Sequence, residues 1–400
     1  MPEAATIVGY PQVLSAATQA LAGYAGAERS GRPGWDRAAD GGPAILSALV
    51  SEHDGGSVSP QAQAALAAWL TDVRSSCTHL GLCSWGLAGI VLGLRTAARV
   101  WPSLSPVTAT LQSELVERAC TRPWLPSEIG WVDYDLVSGP AGITLVLAGD
   151  PEGTKPGGRT AVDQMMDLCG RDDLAGLRLG QFRYENLRGW NYGRVNTGVA
   201  HGIGGVALAL CAAMDAWGMM REDRGATLMR IARWLRSEAY CTEQGVITWH
   251  RGERRGNKLP PAAGGGQNAW CYGNPGLTWT LWEIGRVLSD HELQRFAENA
   301  FASYLAHSKK YDTWGLHGLN MCHGAAGEMM ICDAFYRYAH LTVAQDRRDE
   351  LEQFLLTHLR HLGQWSAQDA ALLSGTSGVL AALLTVNGGD RRWLAAFGLR

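Results

Sequence analysis

No apolar run in this 400-residue sequence approaches the roughly 20 residues that a membrane-spanning helix needs; the longest, such as Val206 to Met214, fall far short. The opening Met1-Pro2-Glu3-Ala4-Ala5 has no basic stretch ahead of an apolar one, so no secretory signal is evident. There is no basic excess either. The 35 Lys and Arg stand against 38 Asp and Glu, which argues against nucleic acid as the main partner, since such binders carry a basic stripe or surplus. The close metal-ligand spacings CxxC and HExxH are both missing. Strand signals are few; Gly245 to His250 is the best of them. These absences leave a cytoplasmic, soluble, mainly helical protein as the expectation.

Cysteine is present but not as a framework. Nine residues, Cys77, Cys83, Cys120, Cys169, Cys211, Cys241, Cys271, Cys322 and Cys332, are odd in number and scattered, so metal binding or catalysis is the better reading for any special member. Cys211 and Cys332 lie in apolar runs, where cysteine acts as a small hydrophobe.

What the chain does have is 50 glycines, and they are ordered. Six times Gly-x-x-Gly runs into a short apolar stretch, at Gly86, Gly139, Gly202, Gly273, Gly324 and Gly375. These first glycines are separated by 53, 63, 71, 51 and 51 residues. A degenerate copy, Gly42-Pro43-Ala44-Ile45, precedes them. Such a period marks a repeat architecture. Between the turns lie one-faced helical patterns: Leu66, Trp69, Leu70 and Val73 behind Ser59-Pro60, and Leu293, Phe296, Ala297, Ala300 and Tyr304 behind Asp290. Leu351, Phe354, Leu355 and Leu359 form a third. The runs after the glycine turns are instead apolar nearly all round, as in helices buried on every side. Seven pairs of this kind predict an all-α double ring, with buried helices inside and amphipathic ones outside. The expected organisation is one free-standing domain over residues 1–400, with 1–40 contributing an N-terminal extension and first outer helix. In a closed ring the glycine turns converge at one pole, where helix N-termini favour anions.

The polar residues at those turns are the candidates for chemistry. Asp135 precedes the second copy, His201 the third, Cys271-Tyr272 the fourth and Cys322-His323 the fifth; Trp85 and Ser374 belong to the first and sixth. Two cysteines and a histidine match the thiolate and imidazole ligands of zinc, and three ligands leave a fourth position open. Adjacent Cys322 and His323 diverge by about 100° within a helix, so both are expected in the loop before it. His201 and Asp135 read equally well as capping or packing residues. The segment from Arg251 to Gly266 reads as a loop of functional length. Its cluster Arg251, Arg254, Arg255 and Lys258 reads first as a solvated face.

Three motifs together, Trp-Cys-Tyr-Gly-x-Pro-Gly (270–276), Cys-His-Gly-x-x-Gly (322–327) and His-Gly-x-x-Gly (201–205), resemble the lanthionine synthetase C-like family. The resemblance runs from about residue 40 to the C-terminus. It implies an α,α-toroid of seven inner and seven outer helices. It also implies zinc on Cys271, Cys322 and His323, an active-site histidine at His201 and its acidic partner at Asp135. The implied activity is a peptide cyclase: cysteine thiols of a dehydrated, leader-bearing precursor peptide add to dehydroalanine or dehydrobutyrine to give thioether rings. A dehydratase and an exporter are the implied partners. A glutathione-adding relative and a non-catalytic zinc protein that binds modified peptide are the alternatives. The sequence departs from the pattern at Gln267, four residues before Cys271, where the resemblance implies an arginine; Arg194 and Arg251 are the other cations that come into question for its place.

Overall fold

Each glycine turn launches a helix. The computed structural model describes residues 9–27, 40–53, 58–73, 79–83, 86–180, 188–218, 222–256, 269–308, 318–362 and 370–400. Trp85, Cys77, Lys258 and Gln267 lie outside these residues. The first half reads α1 (Tyr10–Gly26), α2 (Gly42–His53), α3 (Pro60–Val73), α4 (Leu87–Ala97), α5 (Ser105–Thr121), α6 (Pro140–Ala148) and α7 (Pro151–Leu168). After a single-turn α8 (Arg188–Asn191) come α9 (Ile203–Trp217), α10 (Glu222–Glu238), α11 (Asn274–Leu288), α12 (His291–Leu305) and α13 (Ala325–Ala339). Then follow α14 (Thr342–Thr357), a single-turn α15 (Leu359–Leu362) and α16 (Thr376–Val386).

The neighbours define a closed ring. Helices α2, α4, α6, α9, α11, α13 and α16 pack in that order, and α16 returns to α2. They are the seven runs that follow glycine turns, and α6, α9 and α16 are buried on nearly every side. Outside them lie α1, α3, α5, α7, α10, α12 and α14, each packed on the inner ring. This is the α,α-toroid. The expected strand shrinks to a two-residue pairing, with Tyr240 opposite Thr248 and Cys241 opposite Ile247.

The second glycine of each turn has a steric reason. A Cβ on Gly276 would lie 2.1 Å from the Trp270 carbonyl oxygen, one on Gly327 2.0 Å from that of Met321, and one on Gly378 1.8 Å from that of Leu372. In each case the chain six residues earlier crosses the first helical turn in backbone contact, a position glycine alone permits. Those crossing segments are what carry the polar residues to the pole.

Two buried devices tie the ring. Asp40 joins first repeat to last, its carboxylate accepting from the Gly42 and Leu372 N–H groups at 2.9 and 2.8 Å. Further round, Glu328 on α13 accepts from Tyr304 of α12 and Arg347 of α14, at 2.8 and 2.9 Å. At the opposite pole the C-terminal segment enters the ring. The Trp270 and Trp279 indoles donate to the Phe397 and Gly398 carbonyls, and Arg400 pairs with Asp215 and Glu283. A cavity of about 690 Å³ there is rimmed by arginines. Arg99, Arg392 and Arg400 among them are matched by carboxylates, so most of that charge is spent within the protein. No helix among the described residues is long and apolar enough to cross a membrane.

Candidate active site and metal centre

The glycine pole encloses a cavity of about 370 Å³, and all seven repeats line it. In chain order they contribute Asp40, Cys83, Val137, His201, Cys271 with Tyr272, Cys322 with His323, and Leu373 with Ser374. The convergence expected from the repeat is therefore present. The six Gly-x-x-Gly helices have no side-chain N-cap, so their first N–H groups are left to the loops and the cavity.

Cys271, Cys322 and His323 form one cluster, with their ligand atoms all within 4.8 Å of one another. Among the described residues no other group of three His, Cys, Asp or Glu side chains is so placed. The loops are stitched by backbone: Cys271 N–H donates to the Cys322 carbonyl at 3.0 Å, and Cys322 N–H to that of Leu373 at 2.9 Å. Cys322 and His323 sit in the turn ahead of α13, as their divergence on a helix requires. The Asn320 side chain accepts from His323 N–H at 2.9 Å, and its amide lies 3.4 Å from Nε2. That leaves Nδ1 as the ring nitrogen free to bind a cation. A hydrogen bond from the Cys322 thiol lowers Cys271, and the same contact together with burial pushes Cys322 up. The pair thus loses its first proton readily, and a cation is what releases the second. Two soft thiolates and an imidazole fit a divalent metal ion.

His201 lines the cavity wall, with Asp135 buried behind it. Nδ1 of His201 lies 2.6 Å from Oδ2 of Asp135, which is fully buried. Oδ1 of Asp135 accepts from Ser138 and Gly139 N–H at 2.7 and 2.9 Å. One oxygen of Asp135 thus ties the turn ahead of α6, which has no side-chain N-cap, and the other holds His201. The Trp131 ring stacks on the imidazole with centroids 4.3 Å apart, and Tyr134 donates its hydroxyl to the His201 carbonyl at 2.8 Å. Bonded on one edge and stacked on one face, the ring has Nε2 left for the cavity.

The chain belongs to the lanthionine synthetase C-like family. The model of that family matches residues 40–397. A curated relative, the nisin biosynthesis protein NisC of Lactococcus lactis subsp. lactis, is 26% identical over 196 residues. That stretch is 48% of this chain and 44% of the relative, so less than half of the relative's length is matched. The solved structure of nisin cyclase superposes with a TM-score of 0.69 at 20% identity, covering 89% of this chain and 90% of its own.

Within this family member, several site residues carry no signal in sequence. Trp131, Tyr134, Asn196 and Asn320 serve their neighbours from positions without fixed spacing to the glycines. Asn196 Nδ2 donates to the Tyr272 hydroxyl at 2.7 Å, and burial pushes that phenol well up. Cys83 lines the cavity with a thiol held protonated by burial and by Asp40 and Asp135. Arg251 corrects an expectation. Arg254 does lie on the outside, paired with Glu238 at 3.3 Å, but Arg251 turns into the cavity.

Proposed function

We propose that this protein is a zinc-dependent cyclase that closes thioether rings in a dehydrated precursor peptide. One observation carries the reading: a Cys, Cys, His cluster within 4.8 Å shares a cavity with a carboxylate-bound histidine. Membership of the lanthionine synthetase C-like family supports it, as does likeness to a nisin biosynthesis protein. Cys271, Cys322 and His323 would hold the ion, which supplies a thiol-acidifying centre with an open fourth position.

The chain's own residues do the remaining work. The cavity brings a peptide thiol and a dehydroamino residue into one space, replacing a chance encounter by a positioned one. The sulfur, its proton already given up to solvent, adds as a thiolate to the β-carbon of that residue, and the electron pair of the C=C bond moves toward the neighbouring carbonyl; His201 later regains its proton from solvent. Asp135 holds His201 by Nδ1 and orients the ring, and His201 delivers a proton from Nε2 to the α-carbon. Trp131 keeps the ring from turning away. Reaction takes place in the cytoplasm, on a leader-bearing substrate supplied by a dehydratase and passed on to an exporter.

The test is incubation with a dehydrated cysteine-containing precursor, followed by thiol alkylation and mass spectrometry, with metal content measured in parallel. Wild-type protein is expected to consume peptide thiols and to contain about one zinc per chain. Cys322→Ala should lose most of the metal, with ring closure falling to the uncatalysed rate. Full, stereocontrolled ring formation by Cys322→Ala would refute the metal role. Addition of glutathione in place of the peptide thiol would refute the cyclase reading.

A further inference from the structure

Among the described residues, the cavity holds one guanidinium, and no carboxylate forms an ion pair with it. Among the described residues lining it, Arg251 is the sole Lys or Arg. Its Nε is shielded from solvent and has no hydrogen-bond partner among the described residues. Asp40, the carboxylate that lines the same space, is held by the Gly42 and Leu372 N–H groups, and Asp135, buried behind His201, by that ring and two backbone N–H groups. Glu253, two residues on, is committed to Arg178 through contacts of 3.0 and 2.8 Å. Arg194 points elsewhere, its NH1 donating to the Glu253 carbonyl. A guanidinium stays charged at any ordinary pH, and a shielded charged donor without an acceptor is costly.

The placement is built in. Thr197 N–H donates to the Arg251 carbonyl at 3.1 Å, and Glu253 N–H to that of Val195 at 2.8 Å. This fastens residues 251–253 along the segment that leads to His201. On its other side the guanidinium carbon lies 5.6 Å from the Tyr272 ring centroid, a cation–π contact with the residue next to Cys271. Arg251 therefore stands between the loop of the proton donor and the loop of a metal ligand.

We propose that Arg251 is a catalytic residue that holds the enolate oxygen formed during thioether closure. The inference rests on the cyclase reading above. As the S–C bond forms at the β-carbon from a thiolate whose proton has gone to solvent, the C=C electron pair moves through the α-carbon and places the negative charge on the carbonyl oxygen. Arg251 N–H groups receive that oxygen. When His201 delivers its proton to the α-carbon the carbonyl re-forms, the charge disappears and Arg251 is free again. The guanidinium thus meets an anion in the transition state and a neutral carbonyl before and after it, which raises kcat rather than affinity.

The experiment compares wild type with Arg251→Lys, Arg251→Gln and Arg251→Met in steady-state cyclisation of one dehydrated precursor. Metal content and thermal midpoint are measured on each variant. The expected order of kcat is Arg, then Lys, then Gln and Met together, with the neutral variants about 10²–10³-fold below wild type. KM should stay within about 3-fold. Lys, which keeps the charge without the fork, should recover part of the loss. The proposal is overturned if Arg251→Gln turns over at the wild-type rate, if the loss lies in KM alone, or if activity follows melting temperature or metal content rather than charge. Failure of wild type to close any ring would instead bring down the cyclase reading, so the two failures are separable.

Discussion

Asp135 divides its oxygens, Oδ1 toward the Ser138 and Gly139 N–H groups and Oδ2 toward Nδ1 of His201. The division makes the two roles experimentally distinct. Asp135→Asn can keep the backbone acceptor while removing the carboxylate charge held against Nδ1 of His201. We expect kcat for cyclisation to fall by about 10²-fold or more, with the thermal midpoint displaced by only a few degrees. His201→Asn should lose at least as much rate, and the double variant little more than the worse single one, because the pair acts as a unit. Additive losses in single-turnover assays would show that the two residues act separately. The residues that ended up mattering most here were legible only in part. His201, Cys271, Cys322 and His323 abut glycine turns and were visible through them. Trp131, Asn320 and Arg251 reach the site through the folding of loops with no periodicity to betray them.

Among the elements, the inner helices were readable because burial on all sides leaves an apolar run, and close backbone crossing leaves a glycine at its start. The same logic separates two kinds of glycine. Gly276 opens α11 with its Cα against the Trp270 carbonyl, where a Cβ would approach to 2.1 Å. Gly276→Ala must therefore push the Trp270–Cys271 segment outward, at a cost of about 1–3 kcal/mol. The ligand Cys271 moves with it, so metal affinity should fall together with stability. Gly225, within α10, would meet nothing closer than Leu288 Cδ2 at 3.7 Å. Gly225→Ala should stabilise by about 0.4–1 kcal/mol and leave metal binding alone. Urea unfolding with a zinc titration of each variant checks both signs. A Gly276→Ala protein of wild-type stability and affinity would remove the steric account of the repeat. The outer helices were less legible: α10 and α14 are too polar to give a clean stripe, and their place follows from what they cover.

For the whole molecule, what the repeat could not reveal is how the ring closes. Periodicity counts seven pairs, but an open solenoid has the same period. Closure rests on contacts between residues more than three hundred apart in sequence, of which Asp40 with Leu372 is the most telling. Burial raises the Asp40 carboxyl from 3.8 to about 6, against the opposing pull of its backbone N–H donors. The sign follows from proton binding. Between those two values the folded ring binds more protons than the unfolded chain, so stability is greatest below the lower value and falls as pH rises through the upper one. At about 1.4 kcal/mol per pH unit, this single group accounts for a fall of at most ~3 kcal/mol. Glu52 and Glu352, raised chiefly by burial, slope the same way, so the difference between wild type and Asp40→Asn isolates the clasp. That difference should change between pH 4 and pH 6 and be flat above pH 7, as measured by urea unfolding at each pH. Parallel profiles would mean that the carboxyl titrates as if exposed. Asn also places an NH₂ group against the Leu372 N–H that Oδ2 now accepts. Faster hydrogen exchange at that amide, with exchange in α9 unchanged, would locate the weakness at the seam between α16 and α2 rather than in the ring as a whole.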